Sequence, residues 1–265
     1  MTERRRREAK RLVGVIHVPP LPGSPAALRM SQVLTFVKED AERLAEAGFE
    51  DVIVENFGDA PFFADDVPKV TVAAMTACVL AVKETAKSLR VGVNVLRNDA
   101  AAALSIAAVA NAAYVRINVH TGARVTDQGL VSGRAAETLR LRKLLGAEGV
   151  AIWADVAVKH SAPLGVRPLE DEAHDLSTRG MVDAILVTGA GTGKATDVAE
   201  VARVKGVVSQ PVYVASGASK ESLRELLQTA DGVIVGTAIK RAGKAGEPVD
   251  LARAKAFVTA FQSAV

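Results

Sequence analysis

Eight times between Leu12 and Val235 a short run of β-branched and other apolar residues gives way to a longer stretch with helical spacing. Such runs have strand length, while apolar residues recurring at intervals of three and four mark one face of a helix. The pattern predicts strands at Leu12–Val18, Asp51–Glu55, Val91–Leu96, Ala113–Val119, Val150–Val156, Asp183–Thr188, Val212–Ser216 and Gly232–Val235. The intervening helices are predicted at about Ser31–Ala47, Pro68–Leu89, Asp99–Ala110, Arg134–Leu145, Leu169–Arg179, Thr196–Lys205 and Lys220–Thr229, with a last one at Leu251–Ser263. Strict alternation implies parallel strands joined by right-handed crossovers. Eight units with no domain-sized gap favour an α/β fold closed into a single (β/α)8 barrel over an open sheet. The 265 residues are close to the roughly 250 that such a barrel takes. Residues 12–265 are expected to form this domain, and 1–11 a basic tail or covering segment.

The alternative, a doubly wound sheet with a dinucleotide site, lacks its fingerprint. Gly189-Ala190-Gly191-Thr192-Gly193 is not G-x-G-x-x-G. Nor is Thr188 to Ala195 a P-loop, because Thr188 replaces its first glycine and Ala195 the hydroxyl residue that would meet magnesium.

Charge and cysteine usage exclude other classes. The net charge is +3, but residues 1–12 carry six Lys/Arg against two Glu, so the remainder is slightly acidic. No specific nucleic-acid partner is expected from such a body, and Arg4-Arg5-Arg6-Arg7 reads as a solvated tail. No clean run of about 20 apolar residues predicts a transmembrane segment, and no apolar signal core follows the N-terminal charges. The one cysteine, Cys78, falls in a helical apolar pattern and reads as a core thiol. The cytoplasm is the expected compartment.

Polar side chains recur where the predicted strands end: His17, Glu55 with Asn56, Asn94, Arg116 with Asn118, Asp155, and Lys159 with His160. Barrel enzymes carry their active sites on that face, and the longest predicted loops lie there as well. Arg116 and Asn118, two apart on a strand, share one side of it. Three chemistries fit. Glu55 and Asp155 can act as acid and base, as in glycosidic cleavage. Lys159 can form a Schiff base if it is desolvated or placed beside another cation, whereas pairing with Asp155 would hold it charged. A divalent metal on His17, Glu55, Asp155 and His160 is the third, although no compact ligand spacing supports it and no cofactor is predicted. His120 sits at a loop start next to Gly122, and His174 reads as a surface residue of a helix.

The last three strands each run into small and hydroxyl residues: Gly189, Gly191 and Gly193; Ser216 and Gly217; Gly236 and Thr237. Glycines there let backbone N–H groups approach a ligand, and helix N-termini would favour an anion. The three turns are expected side by side as a phosphate cradle, with Lys194 or Lys240 adding positive charge. Phe57, Phe62 and Phe63 crowd one loop, which points to a homo-oligomer contact or to a lid folded over the barrel.

At these residues the chain resembles the BtpA family, which includes the SgcQ-like proteins. The carriers are His17 with Leu21-Pro22-Gly23, Glu55-Asn56, Gly92-Val93-Asn94-Val95-Leu96 with Asn98-Asp99, and Arg116-Ile117-Asn118-Val119. They continue through Thr126-Asp127-Gln128-Gly129, Ala154-Asp155-Val156 with Lys159-His160, Thr188-Gly189 with Thr192-Gly193, Ser216-Gly217, and Gly236-Thr237 with Lys240. The resemblance implies a barrel of the ribulose-phosphate-binding type. It implies either an enzyme on a phosphorylated sugar or nucleoside-like compound, by nucleosidase-like cleavage or aldolase or isomerase chemistry, or a non-catalytic factor of the photosystem I biogenesis kind that names the family.

Overall fold

A computed structural model describes residues 10–189 and 197–265. Its barrel strands are β1 (Arg11–His17), β2 (Asp51–Glu55), β3 (Arg90–Asn94) and β4 (Tyr114–Ile117). Outside the barrel lie β5 (Ala123–Thr126), β6 (Gly129–Ser132) and β8 (Ala162–Pro163); the barrel is completed by β7 (Ala151–Val156), β9 (Ala184–Val187), β10 (Val212–Val214) and β11 (Gly232–Val235). The eight close in the order β1-β11-β10-β9-β7-β4-β3-β2, and every pair is parallel. The helices around it are α1 (Met30–Ala47), α2 (Lys69–Thr85), α3 (Ala100–Ala110), α4 (Ala135–Leu144), α5 (Leu169–Thr178), α6 (Val198–Val207), α7 (Leu223–Thr229) and α8 (Leu251–Gln262).

The (β/α)8 expectation therefore holds, with boundaries moved by local chemistry. α1 buries Val33, Val37, Ala41 and Leu44 along one stripe and stops at Gly48, whose φ of 95° suits a residue without a Cβ. The Asp99 carboxylate accepts from Ala102 N at 2.8 Å and so starts α3. The expected seventh helix begins later, because Ser219 and Ser222 close a turn of their own before Leu223. The segment His120–Gly133, expected to be a loop, instead holds a hairpin. Thr126 pairs with Gly129 across Asp127 and Gln128, Gly129 takes φ 91°, and β8 adds to the other edge. The basic tail before Lys10 and the glycine-rich stretch 190–196 lie outside the described residues.

Two apolar layers result. One lies between strands and helices. The other fills the barrel, where Tyr114 stacks on Trp153 with ring centroids 3.8 Å apart and Trp153 leans on Tyr213 at 5.0 Å. Tyr114 donates its hydroxyl to Val52 O at 3.0 Å. Gly92 makes room for it, since a Cβ there would meet the Tyr114 ring at 2.0 Å. Three aromatics thus plug the barrel, and the site above them has a solid floor. No described helix is long and apolar enough to cross a membrane.

Candidate active site

Strand residues alternate in direction, so the residue two positions beyond each floor residue also points into the barrel, one layer higher. Val15, Ile53, Tyr114, Trp153 and Ile234 belong to the interior cluster. Two residues on from each stand His17, Glu55, Arg116, Asp155 and Gly236. The strand register places His17 beside Glu55, Glu55 beside Asn94 and Asn94 beside Arg116 in one row.

The row is a connected set of charges. Arg116 forks onto Asp155, with Nη2 to Oδ1 at 3.0 Å and Nε to Oδ2 at 3.2 Å. Asn118 Nδ2 donates to the same carboxylate at 2.6 Å, and Asn94 Nδ2 donates to Arg116 O and to Asn118 Oδ1. A buried bidentate pair of this kind fixes the guanidinium plane. Glu55 is held more loosely, 3.9 Å from both the His17 Nε2 and the Arg116 Nη1. His17 Nδ1 accepts from Gly246 N at 3.4 Å, which leaves the proton of the neutral ring on Nε2, facing Glu55. Burial, then the charges of Lys240, Lys159 and Arg116, hold His17 well below its ordinary pKa. Phe57 stacks on the ring with centroids 4.4 Å apart.

His17, Glu55, Arg116 and Lys159 line one cavity of about 310 Å³, together with Phe57, Ser216, Gly217, Gly236 and Thr237. Four of the eight expected chemical residues and four of the seven expected cradle residues therefore share one space. Asp155 and Asn118 do not line it. They face a second cavity of about 170 Å³ under the hairpin, so Arg116 with Asp155 forms part of the partition between the two. Asn94 lines neither. His160 is exposed, with φ 56°, and faces neither cavity. Gly189 is buried without lining the main cavity, and Gly191, Gly193 and Lys194 lie outside the described residues.

Three expectations need correction. Lys159 does not pair with Asp155, because Arg116 and Asn118 occupy that carboxylate; among the described residues the Lys159 ammonium has no hydrogen-bond or ion-pair partner. Lys240 gives no charge to the cradle: it is fully buried and donates to Asp40 Oδ2 at 2.8 Å. The helix dipoles are weak here, since a short 3₁₀ turn at Thr237–Ile239 follows Gly236 and α7 starts six residues past Gly217. What the turns do offer is backbone. Gly217 takes φ 72°, and a Cβ on Gly236 would meet His17 Cε1 at 3.0 Å. Among the described residues the N–H groups of Gly217, Gly236 and Thr237 find no acceptor.

Some of the site carries no sequence signal. The segment after β11 folds back over the barrel mouth, where Gly243 and Ala245 line the cavity. Buried Arg97 donates to Lys159 O at 2.8 Å and so helps set that loop. Asn56 and Asp59 tie the loop after β2 to Leu96 and Leu21 instead of facing a ligand. His120 is a buried structural residue bonded to Gly180 O at 2.9 Å. Among the described residues no group of three or more His, Cys, Asp and Glu could hold a metal ion. Of the four residues considered for one, only His17 and Glu55 come together.

The family model of the BtpA family matches residues 8–263. The chain belongs to the BtpA family. Its relatives include an uncharacterized protein of Methanocaldococcus jannaschii, 42% identical over 94% of each chain. Another is the photosystem I biogenesis protein BtpA of Synechocystis, 40% identical over 94% of this chain and 87% of that one. Among solved structures it is similar to thiamine phosphate pyrophosphorylase from Pyrococcus furiosus, with TM-score 0.62, 14% identity and 98% of each chain covered. It is also similar to (S)-3-O-geranylgeranylglyceryl phosphate synthase from Thermoplasma acidophilum in complex with sn-glycerol-1-phosphate, with TM-score 0.59, 17% identity, and 97% of this chain and 95% of that one covered. At such identities these two bear on the barrel fold alone.

Proposed function

We propose that this BtpA-family protein is an enzyme acting on a small phosphorylated sugar or sugar-like compound. The phosphate would sit on the backbone N–H groups at Gly217 and at Gly236–Thr237, with the hydroxyls of Ser216 and Thr237 beside it. The reacting end would lie at Glu55, His17, Arg116 and Lys159. The observation that carries this reading is that both sets of groups line one cavity, whose other lining includes Val15, Ala215 and Ile234 of the barrel interior. At about 310 Å³ that cavity is at the small end of ligand sites, which favours a compact substrate. Similar barrels whose names refer to phosphate compounds lend support by analogy of fold only.

In chemical terms Glu55 is the general base. Neither its His17 nor its Arg116 neighbour is within hydrogen-bonding distance, so it is available to a substrate proton. Neutral His17, with its proton on Nε2, is a donor to an oxygen that becomes negative. Arg116, fixed by Asp155, supplies a full positive charge to the same region. Glycosidic cleavage by a Glu55–Asp155 pair gains no support, because Asp155 faces the other cavity.

A second reading rests on the Synechocystis relative's name: a biogenesis factor in which the site is vestigial. Titration calorimetry with inorganic phosphate, followed by a thermal-shift screen of phosphorylated metabolites, separates the two. Binding that Gly236→Asp abolishes in a folded protein supports the enzyme. No binding of any phosphorylated compound would leave the assembly factor.

A further inference from the structure

Lys159 follows β7 and lines the main cavity. Its backbone is fixed on both sides: the Lys159 N–H donates to Thr188 Oγ1 at 3.1 Å, and Lys159 O accepts from Arg97 Nη2 at 2.8 Å. Its side chain nevertheless ends without a partner among the described residues, although two carboxylates lie in the neighbourhood. Asp155 is taken by Arg116 and Asn118, and Glu55, which lines the same cavity, has its ion-pair contacts with His17 and Arg116. A lysine held this way, with a guanidinium nearby, is arranged as a nucleophile more than as a salt-bridge partner.

We propose that Lys159 forms an imine with the carbonyl carbon of a phosphorylated aldehyde or ketone whose phosphate rests on the Gly217 and Gly236–Thr237 turns. The inference rests on the phosphate reading above and names its substrate class. Burial lowers the Lys159 pKa from its usual value, Arg116 lowers it further, and Glu55 and Asp155 oppose the shift. The neutral amine is therefore easier to reach than in an exposed lysine. In the first step the nitrogen lone pair forms a C–N bond, the carbonyl π pair moves to oxygen, and that oxygen takes up a proton. Glu55 carries the ammonium proton to that oxygen, giving a neutral carbinolamine. In the second step the hydroxyl takes up from solvent the proton that Lys159 shed on becoming a neutral amine, the C–O bond breaks, water leaves and the nitrogen pair forms the C=N bond of the iminium. No oxidant or reductant is consumed. The iminium then draws electrons from the adjacent carbon, and Glu55 is placed to take a proton from there.

The test uses the full-length protein incubated in turn with glyceraldehyde 3-phosphate, dihydroxyacetone phosphate and ribose 5-phosphate, each with sodium borohydride. Intact mass and peptide mapping read the product. The expected result is one reduced adduct on Lys159, lost when inorganic phosphate competes, absent in Lys159→Met and reduced in Gly236→Asp. Unphosphorylated glyceraldehyde should label Lys159 no better than surface lysines. Adducts scattered over surface lysines, unchanged in Lys159→Met and indifferent to phosphate, overturn the proposal. Calorimetry with phosphate on the wild type tells the two failures apart. Phosphate binding without an adduct removes the nucleophile and keeps the anion site, whereas a Lys159 adduct that phosphate does not suppress keeps the nucleophile and removes the anchor. Should Lys159→Met not fold, the wild-type peptide map with and without phosphate still decides.

Discussion

Two lysines, each just past a barrel strand, are treated in opposite ways. Lys240 follows β11 and is wholly enclosed; its ammonium donates to Asp40 of α1, whose other oxygen accepts from Val249 N at 2.7 Å. Lys159 follows β7 and lines a cavity, with no carboxylate paired to it among the described residues. In both, burial lowers the pKa, but at Lys240 the pull of Asp40 is the leading opposing effect, while at Lys159 the next cause, Arg116, acts with burial. A buried charge with a dedicated counter-ion joins parts of the fold, here α1 to the segment that covers the barrel mouth. One without a counter-ion costs stability, and its presence at a cavity wall is best accounted for by what it does to a ligand.

The sharpest way to break this comparison is to remove each lysine's surroundings in turn. Asp40→Ala leaves the Lys240 charge buried and unpaired, and should cost about 3–5 kcal/mol in chemical denaturation. Lys159→Met should leave stability unchanged or raise it by on the order of 1 kcal/mol, because a half-buried charge gives way to a side chain of similar length. If both substitutions destabilise equally, the two lysines are both structural and the contrast fails.

The next effect concerns the anion. Gly236→Ala adds a Cβ that would sit 3.0 Å from His17 Cε1 and 3.2 Å from Nε2, so the ring must shift toward the cavity. Phosphate affinity by calorimetry should fall about tenfold, near 1.4 kcal/mol, with the fold intact. Gly217→Ala should weaken binding as well, since φ 72° is strained for alanine. Unchanged affinity in both would move the anion away from these turns.

What is legible in the sequence follows the physics of each residue. Barrel strands read clearly because β-branched runs buried on both faces differ from everything around them; the run Gly232–Val235 coincides with β11 at both ends. His17, Glu55 and Arg116 stand out because a polar residue at the end of an apolar strand is costly unless it meets a partner or a ligand. Asp155 stands out for the same reason, yet its partner cannot be read from spacing. A separation of four suggests Lys159, but strand neighbours come from distant sequence, and Arg116 on β4 lies next to β7. Lys240 misleads likewise, since its counter-ion is 200 residues away. A clue does exist: Asp40 lies on the apolar stripe of α1, between Val37 and Ala41, where a carboxylate requires a partner. The hairpin escapes sequence reading because four-residue strands over an exposed surface carry little apolar pattern.

The smallest effect is a pH dependence that sharpens the description of the ligand-facing histidine. His17 is held well below its ordinary value, by burial first and by three nearby cations after it, so in the folded protein it stays neutral as the pH drops past 6.5. The unfolded chain takes up the proton there. A folded-state pKa below the unfolded one stabilises the fold fully above the unfolded value and progressively less as the pH falls beneath it. Through His17 the protein should therefore lose stability from about pH 6.5 downward, by at most about 1.4 kcal/mol per pH unit while the folded ring remains neutral. His120, also buried and lowered, adds the same sign, so the decisive measurement is the difference between wild type and His17→Gln in denaturation curves across that window. The variant should show a shallower acid limb by one proton. Parallel curves would mean that His17 protonates in place, and that the donor assigned to its Nε2 is an imidazolium paired with Glu55.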